Sequence, residues 1–457
     1  MNTLHNEKQR KASFIEAMKI LSAAISSLKL YSPGHPSVSK SLDDLFNIIQ
    51  TLIGDKNRIV IAVTRNIPIL DGIPVYESDV ATTSFVKLMQ QRGIELIIIK
   101  SRLKQEELVP FLNILRGDKQ TLTSDNLTLL LEQNNVRNIL IKDVNFNQRA
   151  KEAYFDSIGS ISRVLDDVQH DNVINIFESK RSIKGMINSI LVDKNILLSL
   201  SMIKNFDDYL FSHSVNVCIL SISLAEELNY GEDDLADIGM AGLLHDIGKI
   251  KTSLEVLQKP GKLNDKEWEL MRQHPQLGAK LLKEREGLSE KTIRIVLEHH
   301  MRPNGTGYPQ YEPGKEPLLL SQIVAIADTY DAATTIRPYQ EPLSCTGAIK
   351  LMRQMTRETN EFDRNIFASF EKMMGRYPIG TTVRLDTNEI GYVTRYGSKR
   401  EAPMVKIFLD ETGQKLSEPK EVDLNEKDME TGKPYRNIIA EVDTIARNLD
   451  FNRILES

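Results

Sequence analysis

Five of the eight histidines in this 457-residue chain fall between positions 213 and 300, and nothing else in the sequence narrows its fold and chemistry as far. They stand as His213-Ser214, Leu244-His245-Asp246-Ile247-Gly248-Lys249, His274-Pro275 and His299-His300. The loop Asn304-Gly305-Thr306-Gly307-Tyr308-Pro309 follows, then Asp328-Thr329-Tyr330-Asp331-Ala332 and Arg337-Pro338-Tyr339. Apolar residues surround them at helical spacing, as in Val215 to Leu220 after His213 and Ile323 to Ala327 before Asp328. The pattern predicts buried helices, each carrying a polar side chain that an apolar interior rejects unless it is partnered. A lone histidine on an apolar face is usually a satisfied core residue. Five histidines with Asp246 and Asp328 would need as many separate hydrogen-bonding solutions, whereas one metal cluster satisfies them all.

Imidazole and carboxylate donors without thiolate suit Fe, Mn, Ni or Zn at a five- or six-coordinate site rather than a structural zinc. On a helix, His245 and Asp246 would point about 100° apart, reaching two ions or bridging them. Lys249, four residues beyond His245, would share its face and could meet a phosphate oxygen. Asp208 and Asp331 are candidates to orient the ligands by hydrogen bonds.

The rest of the chain frames this region. A net charge of -5 predicts no general attraction to DNA, RNA or an anionic membrane. Cys218 and Cys345 lie far apart and fit a reducing compartment better than a disulfide framework. No apolar run approaches the ~20 residues of a membrane helix, and the N-terminus is polar, so the expected location is cytoplasmic. Residues 1–148 read as a mixed α/β domain, with helices about 14–30, 38–53, 83–91, 105–117 and 125–134. Its strands fall near 58–63, 67–70, 73–75, 94–99 and 138–144, and Asp71-Gly72 makes a hairpin turn. His35 reads as a structural turn residue. This domain is expected to serve input, docking or dimerisation. Residues 149–204 read as a helical connector that can pack on its own chain or on a second copy, allowing a homodimer. Residues 205–375 carry the histidines, and 376–457 read as a small β-rich extension whose Arg395, Tyr396, Lys399 and Arg400 form a solvated hairpin face.

Residues 205–375 resemble the HD-GYP family of the HD metal-dependent phosphohydrolases. The motifs that carry the resemblance are His213-Ser214, His245-Asp246-Ile247-Gly248-Lys249, His274-Pro275 with Gly278, His299-His300, Gly305 to Pro309, and Asp328 to Asp331. The resemblance implies an all-α catalytic domain that hydrolyses cyclic di-GMP to pGpG, or on to GMP, through a hydroxide activated by two divalent metal ions. Iron is the expected metal, with manganese or nickel as alternatives. It implies that His213, His245, Asp246 and Asp328 hold one ion, and that His274, His299 and His300 hold the other with Asp246 bridging. Asp246 and Lys249 would be catalytic, and Lys249, Arg302, Gly305, Gly307, Tyr308, Pro309 and Arg337 would contact substrate. A diguanylate cyclase domain or another signalling protein is the expected kind of partner. Departures from the family pattern are Tyr209 where some members have a third-metal Glu, Met301 for Glu, Asn304 for Asp, and Gln340 for a basic residue. The alternative they leave open is a catalytically weak module that binds cyclic di-GMP or a signalling protein.

Overall fold

The computed structural model describes residues 2–64, 66–76, 79–117, 127–143, 145–170, 172, 175–202, 209–257, 259, 261–310, 316–335, 342–396, 402–428 and 431–442. The chain divides into two compact units, Met1–Arg149 and Ala150–Ser457.

In the first unit, helices α1 (Asn2–Leu30), α2 (Pro36–Ile53), α3 (Val80–Gln91), α4 (Leu108–Arg116) and α5 (Leu127–Gln133) accompany a five-stranded sheet. Its strands are β1 (Arg58–Thr64), β2 (Ile67–Leu70), β3 (Ile73–Pro74), β4 (Ile94–Lys100) and β5 (Ile139–Asp143), in the order β3-β2-β1-β4-β5. Every pairing is antiparallel. Asp71 and Gly72 take φ of 49° and 83°, the positive pair a type I′ hairpin needs. The helix expected from about Phe14 starts at Asn2, because the polar residues before Phe14 are good helix formers without an apolar stripe. His35 is structural. Its ring accepts from the Ser37 N–H at 3.3 Å at the start of α2 and stacks on Tyr31.

The second unit is built on helices α6 (Phe146–Gln169), α7 (Phe177–Ser201), α8 (Tyr209–Glu227) and α9 (Glu232–Leu244). It continues through α10 (Leu254–Leu257), α11 (Asp265–Met271), α12 (His274–Lys283), α13 (Glu290–Glu298), α14 (Leu319–Thr334), α15 (Cys345–Gln354) and α16 (Arg364–Met374). Helix α8 is buried almost throughout its described length, with Val215, Val217, Ile219, Leu220, Ile222 and Leu224 all inaccessible, so it is the central rod of this bundle. Gly242 lets α9 approach it: a Cβ there would lie 2.9 Å from the Cys218 Cα. Ile161, Val164, Ile183, Met186 and Ile190 of α6 and α7 join the same core as α8, α9 and α14, so these two helices pack on the histidine-bearing bundle. Strands β6 (Thr382–Leu385), β7 (Ile390–Tyr396), β8 (Pro403–Leu409), β9 (Lys415–Asp423) and β10 (Ile438–Glu441) form an antiparallel sheet ordered β10-β6-β7-β8-β9. Arg395 pairs with Glu421 at 2.9 Å, while Lys399 and Arg400 lie outside the described residues. Among the described residues no helix is long and apolar enough to cross a membrane.

Two carboxylates hold this bundle together in ways that can be measured. Glu298, at the end of α13, accepts from the Leu318 N–H (2.8 Å), the Ser321 hydroxyl (2.8 Å) and Arg294 (2.6 Å). It thereby caps the start of α14, the helix that carries Asp328 and Asp331. Glu298→Ala is expected to cost about 2 kcal/mol by chemical denaturation, as hydrogen bonds to a charged group do. Glu227, at the end of α8, lies between Lys194 (2.9 Å) and Lys372 (2.8 Å). Burial pushes its carboxyl up, but the two ammonium groups outweigh burial and hold it down at about 2. A folded-state value below the ordinary 4.5 means stability that is present above pH 4.5 and lost as pH falls towards 2. Glu227→Gln is therefore expected to flatten the decline of unfolding stability in that window, and an unchanged acid limb would contradict the pairing.

Candidate metal centre

The five histidines reach the centre from the ends or interiors of four segments. His213 lies within α8, His245 follows the last residue of α9, His274 opens α12, His299 and His300 follow α13, and Asp328 is in α14. The sequence pattern extends α9 through Lys249, but the helix stops at Leu244 and residues Ile247–Lys251 form a 3₁₀ turn. Gly248 accounts for the tighter path, because the backbone there lies directly against the first turn of α12. His245 and Lys249 therefore do not share a helical face.

Three imidazoles are oriented in the same way. The Nδ1 of His245 bonds the Gly242 carbonyl (2.8 Å), that of His274 the Met271 carbonyl (2.8 Å), and that of His299 the Val296 carbonyl (2.7 Å). In each, Nδ1 carries the proton and Nε2 offers its lone pair to the centre. His213 does the same through a side chain: its Nδ1 donates to Asp331 at 2.7 Å.

Ligand atoms gather in two adjoining groups, one of Asp246, His274, His299 and His300 and one of His213, His245 and Asp328. Within each group they lie within 4.8 Å of one another. Asp246 faces both: Oδ1 is 3.3 Å from His274 Nε2, and Oδ2 is 3.3 Å from His245 Nε2. Asp328 has the same two-sided placement, with Oδ1 3.3 Å from His213 Nε2 and Oδ2 3.7 Å from His300 Nδ1. Among the described residues, the buried His245 Nε2 and Asp246 Oδ1 have no hydrogen-bond partner. Orphaned atoms of this kind inside a polar cluster fit a divalent cation, which needs lone pairs aimed at one point.

Charge in the cluster is set for the same purpose. Burial holds His299 and His300 well below the ordinary imidazole value and pulls His274 down to about 4. Burial alone would raise Asp246 and Asp328, yet neighbouring histidines, and Lys249 beside Asp246, keep both carboxyls well below the usual range. His213 differs: burial lowers it, but its bonds to Asp328 and Asp331 prevail and lift it to about 9.

The loop after His300 folds back on that histidine. Gly305 and Gly307 take φ of 79° and 90°, Met301 bridges to Gly307, and the Tyr308 N–H bonds the His300 carbonyl at 3.2 Å. Asn304 makes the side-chain turn expected of it, accepting from the Thr306 N–H at 3.0 Å. The Tyr308 ring lies 4.6 Å from the His300 ring, and Pro309 follows it through a cis bond. Lys249 pairs with Asp246 at the edge of the cluster. Arg302 bonds the His299 carbonyl (3.1 Å) and lies over Phe362, fastening the end of α13. Asp208, Arg337, Gln340 and the side chain of Tyr209 lie outside the described residues.

Residues the sequence reading passed over also belong here. Exposed Arg272 lies 5.7 Å from the Trp268 ring and 5.9 Å from the Tyr308 ring. Asn216, three residues after His213 on the same face of α8, donates to Asp331 at 3.1 Å. That spacing is the signal that could have found it.

The HD domain family matches residues 199–366. A protein of Pseudomonas aeruginosa named as a cyclic di-GMP phosphodiesterase is 39% identical over 250 residues, covering 54% of this chain and 60% of that one. One of Thermotoga maritima with the same name is 36% identical over 149 residues, covering 32% of this chain and 40% of that one. A Vibrio cholerae protein named as a 3'3'-cGAMP-specific phosphodiesterase is 32% identical over 171 residues, covering 37% and 36%. The matched region thus spans less than two thirds of each of these relatives.

Proposed function

With residues 199–366 an HD domain, we propose that the chain is a metal-dependent phosphodiesterase that hydrolyses cyclic di-GMP to pGpG in the cytoplasm. The observation that carries this reading is the pair of adjoining ligand groups with Asp246 turned towards both. His213, His245 and Asp328 would hold one divalent ion and His274, His299 and His300 the other, iron or manganese, with Asp246 shared. Such ions supply Lewis acidity towards phosphate oxygens and make water a nucleophile near neutral pH.

The chain's own groups do the rest. Lys249 sits where its ammonium can pass from Asp246 to a phosphate oxygen of the substrate. Gly305 and Gly307 keep the loop close to His300, so that Tyr308 and Pro309 border the reacting phosphate. Arg272, between Tyr308 and Trp268, offers a cation and two aromatic faces to a purine base. Arg337 is proposed as a substrate contact from its place in the sequence, nine residues after Asp328. A diguanylate cyclase domain as partner, and pairing of two copies, belong to the same reading.

The test is anaerobic turnover after reconstitution with Fe(II) or Mn(II), with metal counted per chain and products resolved. The substrate panel includes 3'3'-cGAMP, because the Vibrio cholerae relative carries that name. Trp268 is the chain's single tryptophan, so quenching of its fluorescence reports binding without turnover. Formation of pGpG with about two ions per chain is the expected result. Two ions and quenching without turnover would favour a binding module, and little metal under every condition would overturn the site.

A further inference from the structure

We propose that Tyr154, Asn216 and Asp331 form a positioning chain that sets how His213 meets its metal, anchored on α6, the helix by which the polypeptide enters the second unit. The inference rests on the reading of the cluster as a metal site. The Tyr154 hydroxyl donates to Asn216 Oδ1 at 3.3 Å, Asn216 Nδ2 donates to Asp331 Oδ1 at 3.1 Å, and His213 Nδ1 donates to Asp331 Oδ2 at 2.7 Å. All four residues are buried, Asn216 and Asp331 almost completely. No water can take over a lost bond at such a position without opening the core.

The direction of each bond matters. Asp331 accepts at both oxygens, so Asn216 must present its NH₂ to that carboxylate and its carbonyl to Tyr154. A flipped amide would set oxygen against oxygen at Asp331. Burial pushes the Tyr154 hydroxyl's pKa upwards, which keeps it a donor. Asp331 therefore sets the amide orientation, the Tyr154 hydroxyl holds the carbonyl so presented, and the steadied carboxylate keeps the His213 Nδ1–H directed at itself and Nε2 turned to the metal. His213 Nε2 is left facing Asp328 Oδ1 at 3.3 Å.

The other oriented imidazoles do not work this way. His245, His274 and His299 are held by carbonyls three residues back in their own segments, which move with them. The orientation of His213 on α8 depends on groups from α6 and α14. A displacement of α6 by an ångström breaks its outermost bond while leaving the other three imidazoles alone. The chain of bonds thus gives one metal ligand a sensitivity to α6 that the others lack.

The test is Mn(II) titration of the full chain in four forms: wild type, Tyr154→Phe, Asn216→Ala and the double variant. Tyr154→Phe removes one oxygen atom and retains the packing, so it decides the question even if Asn216→Ala folds poorly. The expected result is about threefold weaker Mn(II) binding for Tyr154→Phe and about tenfold for Asn216→Ala, the low end for residues that orient ligands. The double variant should match Asn216→Ala alone, because both act through one path, whereas merely structural losses would add. Thermal midpoints are recorded alongside, and the ¹⁵N shift of His213 Nδ1, which reads its bond to Asp331, should move in Tyr154→Phe. Wild-type uptake with unchanged binding in Tyr154→Phe, or additive losses in the double variant, would overturn the positioning chain alone. Failure of the wild type to take up Mn(II), Fe(II) or Zn(II) would instead overturn the metal reading.

Discussion

Asp246→Ala is expected to abolish turnover of cyclic di-GMP, by more than about a thousandfold, and to lower the metal content of the purified chain. Both oxygens of this carboxylate are committed: Oδ1 lies towards His274 and Oδ2 towards His245, His213 and Lys249. Removing it takes one negative charge that both halves of the cluster share. Asp328 is likewise turned towards both groups, whereas loss of a single histidine leaves one of the two groups whole. The magnitude follows from what a divalent ion contributes to phosphoryl chemistry, several kcal/mol of charge stabilisation with each 1.36 kcal/mol worth tenfold in rate. Asp246→Asn separates the effects, since it keeps the shape and removes only the charge. If Asp246→Ala retained more than a tenth of wild-type turnover, the shared carboxylate would not be part of the reaction. Metal counting and product analysis on the same sample decide this.

Much of the centre was legible because each ligand breaks an apolar helical pattern, and a polar side chain in such a setting demands a partner. His213 and Asp328, 115 positions apart in sequence, needed no contact information to be grouped. The strands of the first unit were legible for a similar reason, since a two-residue period and a hairpin dipeptide at Asp71-Gly72 are local properties. What could not be read depends on tertiary neighbours. The stop of α9 at Leu244 follows from the fit of Gly248 against α12, which no local propensity encodes. The place of α6 and α7 was open because an amphipathic face does not say what will cover it; the bundle core covers it here. The bond of Arg302 to the His299 carbonyl and its place over Phe362, which hold the end of α13, are likewise tertiary facts that no sequence spacing encodes. Asp328 read as a ligand of one ion, and its second oxygen turns out to lie beside His300.

Gly248→Ala is expected to produce the largest loss of stability of any single methyl group added to the second unit. An added Cβ would lie 1.9 Å from the His274 carbonyl oxygen, 2.6 Å from the Gly278 nitrogen and 2.8 Å from the His274 carbonyl carbon. All three are backbone atoms of α12, so no side-chain rotation relieves the clash and the helix itself must move. Overpacking at such a site costs about 3 kcal/mol, which for a unit of this size is a fall of roughly 5 °C in thermal midpoint. The displacement begins at His274, whose Nε2 is 3.3 Å from Asp246, so Mn(II) affinity should fall in the same variant. Gly34→Ala is the matching control: nothing lies within 4 Å of a Cβ there, and its effect should be within about 0.5 kcal/mol. Differential scanning calorimetry with and without Mn(II) reads both quantities. A Gly248→Ala variant as stable as Gly34→Ala would mean that the turn after Asp246 and the start of α12 are not in contact, and the geometry of half the centre would fall with that contact.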